Sequence, residues 1–245
     1  MKVMGLSSAQ ESKIREVVEN KLLDKAEEFQ EREDMNKPFY AALFSEELIY
    51  KASLLQSVYT WFGSKWEEFA KIIAKDNYDR VVRRGVIEGK ITDSASSVID
   101  NILDDLDQNR SNPNISDEKK RILDVRGGEN SRDASQQVDL VLENGEKYYF
   151  EIKSVKPNKN EVKAAKRDLL KVIAMKGDVK VYLVMPYNPY FSGSHSRWTV
   201  TKFFREGEDL LVGEEFWNFL GGDNTYSDLL DLFEEVGQNI ENILD

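Results

Sequence analysis

The chain has 245 residues, 40% hydrophobic and 32% charged, with no cysteine, a single histidine and a formal net charge of −11. It is long enough to bury a full core, and its composition rules out disulfide frameworks, thiolate metal sites, cysteine nucleophiles and multi-histidine centres. No apolar run nears the roughly 18 residues of a membrane helix and the first residues turn polar at once, so a cytosolic location and no membrane contact are expected.

Ser7 or Ser8 can cap a first helix reaching about Glu33, with Ile14, Val17, Val18, Leu22 and Phe29 on one stripe. Lys37-Pro38 interrupts it, and a second helical stretch runs from Phe39 to about Trp61. Gly63-Ser64 is expected to break or recap the chain, after which Trp66, Phe69, Ile72 and Ile73 keep the helical period to Asn77. A fourth helix spans Ser94 to Asp107, then Asn109 to Asn114 form a turn-rich joint and Arg121 to Val125 read as a short strand.

A hairpin follows, with strands at about Gln136 to Leu142 and Glu146 to Val155. Asn158 or Asn160 caps a helix to about Met175, and Val179 to Met185 is the clearest buried strand; a right-handed crossover makes it parallel to the second hairpin strand. Beyond it come an aromatic loop from Tyr187, a strand-like Arg197 to Thr201, and acidic helices near Glu214–Leu220 and Ser227–Val236. The expected architecture is α/β, a mixed central sheet flanked by helices, in one domain over 1–245. It divides into a helical region (1–62), a core (63–185) and a C-terminal loop with acidic helices (186–245).

Charge is segregated. Residues 206–245 hold twelve Asp/Glu and no Lys/Arg, so that end carries −12 and the rest +1, while Lys153 to Lys176 carry eight Lys/Arg against Glu161 and Asp168. His195 lies in a Ser/Gly-rich stretch, with no G-x-S-x-G elbow, and is expected to be solvated. Chemistry therefore has to come from carboxylates, lysines and an oxygen-seeking cation.

The hairpin can supply it. A two-residue loop at Asn144-Gly145 would turn Asp139 away from Glu151; a three-residue loop, Glu143-Asn144-Gly145, with Gly145 left-handed, pairs Leu142 with Glu146 and Asp139 with Tyr149. Asp139, Glu151 and Lys153 then share a side, the two acids as diagonal neighbours about 7–8 Å apart at the backbone. Two such carboxylates, with the Ile152 carbonyl, suit Mg²⁺, for which Mn²⁺ can substitute. Lys153 can orient an attacking water, or accept its proton if its pKa is lowered. The competing reading is a set of solvated strand charges.

Asp139 and the Glu151-Ile152-Lys153 run, followed by a basic helix and a hydrophobic strand, resemble the PD-(D/E)xK nuclease fold, although Val138 stands where the motif has proline. The resemblance implies hydrolysis of DNA phosphodiesters with 5′-phosphate ends, and one further acid from the first core helix: Glu67, with Glu68 the competitor. The helical N-terminal region, Gly63-Ser64-x-Trp66-Glu67, the Glu151–Asn158 run and Phe216-Trp217 are similar to type II restriction endonucleases, in particular the TdeIII group. That implies a homodimer cutting a short, nearly palindromic duplex site, with a cognate DNA methyltransferase encoded nearby. Lys156, Lys159, Lys163, Lys166 and Arg167 are the expected phosphate contacts, Lys166 also lying near the metal; Arg80, Arg83, Arg84 and the loop from Tyr187 to Arg197 are candidates for base contacts. Two alternatives stay open: a structure-specific repair nuclease or resolvase with the same site, and a non-catalytic helical protein whose acidic tail binds a basic partner.

Overall fold

Asn158 shows how local chemistry sets the elements. Its side chain accepts from the N–H groups of Asn160 and Glu161 while Glu161 accepts from the Asn158 N–H, a reciprocal cap that starts a helix where the sequence places one. A computed structural model describes residues 5–30, 37–153, 156–190 and 193–244. In chain order the elements are α1 (Ser8–Gln30), α2 (Pro38–Ala41), α3 (Glu46–Ala74), β1 (Arg80–Thr92), α4 (Asp93–Asp107), α5 (Ile115–Leu123), β2 (Ser131–Asn144) and β3 (Glu146–Ile152). They continue with α6 (Lys159–Lys176), β4 (Lys180–Met185), α7 (Trp198–Thr201), β5 (Leu210–Val212), α8 (Glu214–Gly221) and α9 (Thr225–Leu244). The expected reach of α1 to Glu33 and of the second hairpin strand to Val155 falls outside the described residues.

The sheet runs β1-β2-β3-β4-β5, antiparallel across β1/β2 and β2/β3 and parallel across β3/β4 and β4/β5. Helices cover both faces. Ile99, Leu103, Ile122, Leu169, Ile173 and Val200 bring α4 to α7 onto one; Ile14, Phe69, Ile73, Trp217 and Leu232 bring α1, α3, α8 and α9 onto the other. The mixed α/β architecture with a helical N-terminal region is thus as expected. No described helix is long and apolar enough to cross a membrane.

Four local expectations are corrected. Gly63-Ser64 does not break α3: glycine costs about 1 kcal/mol inside a helix, but Phe62 stacks on Trp66 one turn on, ring centroids 5.4 Å apart, and both join a cluster with Phe69 and Phe233. Arg121 to Val125 is mostly the end of α5, which Asn114 caps through the Asp117 N–H and which buries Ile122. Arg197 to Thr201 forms the short α7, because Arg197 and Thr199 both donate to the Pro157 carbonyl and fold the chain back on the α6 entrance. His195 is 1% exposed: its N–H donates to Glu206 and its ring meets Tyr190 edge-on.

β1 has no counterpart among the predicted elements. Its face alternation is not constant, since Val82 faces α4–α7, yet beyond Arg84 it is Ile87 and Ile91 that do so. The partner strand changes parity at the same level: Val141 faces that layer, then Val138 and Ala134. The change centres on Arg84, left-handed at φ 53, which lies between the Arg83–Leu140 and Gly85–Val138 pairs and hence opposite Asp139. A left-handed arginine costs about 1–3 kcal/mol.

Lys166 lies inside the molecule, not on its surface. It is fully buried, its ammonium 2.6 Å from both Glu118 and Asp209 and 4.8 Å from the Phe204 ring centre. Burial opposes its charge, but the two carboxylates outweigh that and raise its pKa. The expected phosphate contact is therefore contradicted for this residue. Lys166→Met would leave two carboxylates buried without their cation, a loss of about 3–5 kcal/mol, read as a lower denaturant midpoint at unchanged slope.

Candidate active site

Two strands part where the acids stand. The β2/β3 ladder runs from Asn144–Glu146 to Leu140–Phe150 and stops, so Asp139 and Glu151 are the next opposed positions. Gly145, at φ 71, is the single residue between the last pair. This register is two residues off the expected Leu142–Glu146 pairing; parity survives a shift of two, so the acids still converge, directly opposite and not diagonally.

Asp139 Oδ2 accepts from the Ile152 N–H at 2.7 Å, so a carboxylate takes the place of a backbone acceptor beyond the end of the ladder. Glu151, 5% exposed and opposite Asp139 just beyond the ladder, receives the Lys153 ammonium at 3.0 Å. The Lys153 N–H donates to the Val184 carbonyl at 2.9 Å, which ties this residue to the parallel strand β4. Such burial contradicts the reading of these groups as solvated strand charges.

Burial first, and then the Asp139 charge, push the Glu151 carboxyl up to about 7 against the pull of Lys153. Burial also raises Asp139, partly offset by the Ile152 N–H. Burial works against the Lys153 ammonium, yet Glu151 and Asp139 overcome it and its pKa is raised. The condition for Lys153 to accept a proton, a lowered pKa, is therefore not met in this state.

Glu67 and Glu68 are separated by the fold. Glu67 Oε2 accepts from Arg84 Nε at 2.8 Å and acts electrostatically on Asp139; Glu68 turns to Lys65 and Arg83, 2.7 and 3.4 Å away. Among the described residues no group of three or more Asp, Glu, His or Cys is arranged to hold a metal ion. The donors present are nonetheless those a hard divalent cation uses: two carboxylates on opposed strand positions, one of them pushed up to about 7 by burial and by the charge of the other.

The basic block does not form one free cationic face. Lys159 and Lys163 are 2.6 and 2.8 Å from Asp107, which Lys202 also approaches at 3.8 Å; Arg167 pairs with Asp100, and Lys156 is exposed beside the Tyr190 ring. The expected base readers Arg80, Arg83 and Arg84 each pair with a glutamate. Sequence reasoning missed how Asp107 and Glu118 bind these lysines, since helices about fifty residues apart carry no shared pattern.

Because the Glu151 carboxyl is raised from an ordinary 4.5 to about 7, the metal-free folded state holds a proton that the unfolded chain releases. Stability should therefore be highest below about 4.5 with respect to this group and fall as pH rises through about 7. Glu151→Gln should flatten that stretch of a denaturation-against-pH profile; an unchanged slope would contradict the assignment.

Comparison with known proteins places this geometry. The curated relatives include the type II restriction enzyme HgiCII of Herpetosiphon aurantiacus, 28% identical over 82% of this chain and 77% of its own, and HgiBI of the same organism, 27% identical over the same shares. MjaII of Methanocaldococcus jannaschii, also a type II restriction enzyme, is 26% identical over 61% of this chain and 46% of its own. No solved structure matches significantly. The model of the family "Type II restriction endonuclease, HinfI" matches residues 6–237, so the finer likeness is to HinfI where local sequence had suggested TdeIII. With Asp139, Glu151 and Lys153 gathered where two strands part, and the match spanning nearly the whole chain, this protein belongs to the HinfI family of type II restriction endonucleases, site-specific enzymes that act on double-stranded DNA.

Proposed function

We propose that the 245-residue chain is one nuclease unit whose homodimer hydrolyses both strands of a short, two-fold symmetric DNA site with Mg²⁺, or Mn²⁺ in its place, leaving 5′-phosphate ends. The convergence of Asp139, Glu151 and Lys153 at the end of the β2/β3 ladder carries this reading. Asp139 and Glu151 would hold the cation together with the Ile152 carbonyl, while α3 brings Glu67, bound to Arg84, into electrostatic range of Asp139 as the additional acid. When bound, the cation polarises the scissile phosphate and supplies positive charge against the charge that develops during attack.

Lys153 orients the attacking water and donates to a phosphate oxygen, an interaction that strengthens as negative charge accumulates there. In-line attack expels the 3′ oxygen. Lys156, Lys159 and Lys163 contact backbone phosphates: Lys159, Lys163 and Lys202 share the single carboxylate of Asp107, so positive charge prevails at the α6 entrance. Arg167, further along α6 and paired with Asp100, adds a more distant contact. A methyltransferase encoded nearby would protect the host DNA.

For the homodimer the α2–α3 segment offers a self-complementary surface. Phe39 and Leu43, 84% and 74% exposed, protrude beside a groove of about 450 Å³ lined by Tyr40, Phe44, Leu48, Ile49 and Ala52. A two-fold interface needs knob and hole on one patch. Leu55 and Tyr59, also exposed, extend the apolar surface along α3.

Purified protein should cut plasmid DNA into discrete bands with Mg²⁺ and not with chelator, and Asp139→Ala, Glu151→Ala and Lys153→Ala should each lower the rate by about 10²-fold or more. Normal cutting by all three would refute the site; smearing, or selective cleavage of branched DNA, would favour a repair nuclease. In sedimentation, Leu43→Glu combined with Leu55→Glu should convert a dimer to monomer, and a dimer that persists would remove this surface from the interface.

A further inference from the structure

Arg84 is an arginine where the backbone asks for glycine. It is left-handed at φ 53 in the middle of β1, and the glycine that follows, Gly85, does not take the positive φ. Adding a Cβ at Gly85 would bring it within 2.8 Å of Val141, so that glycine serves packing and the left-handed turn is left to arginine. A side chain kept at a strained position points to a use for that side chain.

The turn directs Arg84 toward α3, where its Nε donates to Glu67 at 2.8 Å. Glu67 is the more buried partner, with its side chain 13% exposed against 52% for Arg84. Neither Nη has a hydrogen-bond partner among the described residues. The residue stands opposite Asp139, whose carboxylate feels Glu67 and acts in turn on Arg84. A guanidinium fixed through Nε presents its two Nη donors as a fork, the geometry that takes two oxygens of one phosphate.

We infer that Arg84 holds a backbone phosphate of the DNA at the cleavage site and that Glu67 serves the site by positioning Arg84. This deepens the nuclease reading above and rests on it for the nature of the ligand.

The test uses a fluorescently labelled 30-base-pair duplex of random sequence, with Ca²⁺ in place of Mg²⁺, and anisotropy read at several salt concentrations. Arg84→Gln should weaken binding roughly 3- to 10-fold and reduce the log-log salt slope by about 0.9, one phosphate's share. Arg84→Gly should show the same loss while unfolding no earlier than the unsubstituted protein, which separates contact from folding. An unchanged slope in both variants would overturn the phosphate role. Glu67→Gln should weaken DNA binding while leaving Mn²⁺ affinity, measured by calorimetry without DNA, within about twofold; a tenfold loss of Mn²⁺ affinity with DNA binding intact would make Glu67 a cation ligand instead. Asp139→Asn should abolish Mn²⁺ binding in the same titration, and absence of Mn²⁺ binding in the unsubstituted protein would sink the nuclease site itself, whatever the Arg84 slopes show.

Discussion

The site depends on one exchange of hydrogen-bond acceptor. Up to Leu140 and Phe150 the strands β2 and β3 pair backbone to backbone; one step further, the Ile152 N–H finds the Asp139 carboxylate. That backbone donor is thereby satisfied, which lowers the cost of parting the strands. The carboxylate is held in one orientation, and Glu151 is held against it with a single ammonium for two acids. Burial makes that imbalance expensive, as the raised pKa of Glu151 reflects, and a divalent cation bound there would relieve it.

Two layers keep the opening in place. On one side α6 is anchored by its reciprocal cap at Asn158 and by Lys166, whose buried bridge to Glu118 and Asp209 ties together α5, α6 and the turn before β5. Its charges are spent on architecture, which is why a lysine amid a basic helix does not meet solvent. On the other side α3 runs unbroken through Gly63 and delivers Glu67 to Arg84. The parity change shared by β1 and β2 brings these layers together at Asp139, because there the same strands cease to show the same face to the same helices.

Where sequence reasoning failed, periodicity had been broken by tertiary structure. β1 carries Arg80, Arg83, Arg84, Glu88 and Lys90 with two glycines, and its alternation reverses midway; no window of constant period exists to be read. The fragments around Ile122 and Thr199 are too short for period to separate helix from strand, and their outcome was set by the Asn114 cap and the Pro157 carbonyl. Gly63 illustrates the converse, a local breaker overruled by aromatic contacts from α3 and α9.

The sequence by itself determined the hairpin, the helix after it and the parallel strand that follows and, given a turn of odd length, the shared side of Asp139, Glu151 and Lys153. Side-chain parity along a strand is a local property that a register slip of two cannot alter. Only the tertiary structure decided which lysines remain near solvent, which of two adjacent glutamates faces the site, and that an arginine strained into the left-handed region stands opposite the motif aspartate. Those outcomes depend on helices and strands far apart in the chain, whose meeting is settled by packing and by the pairing of buried charge, and neither leaves a pattern in a single segment.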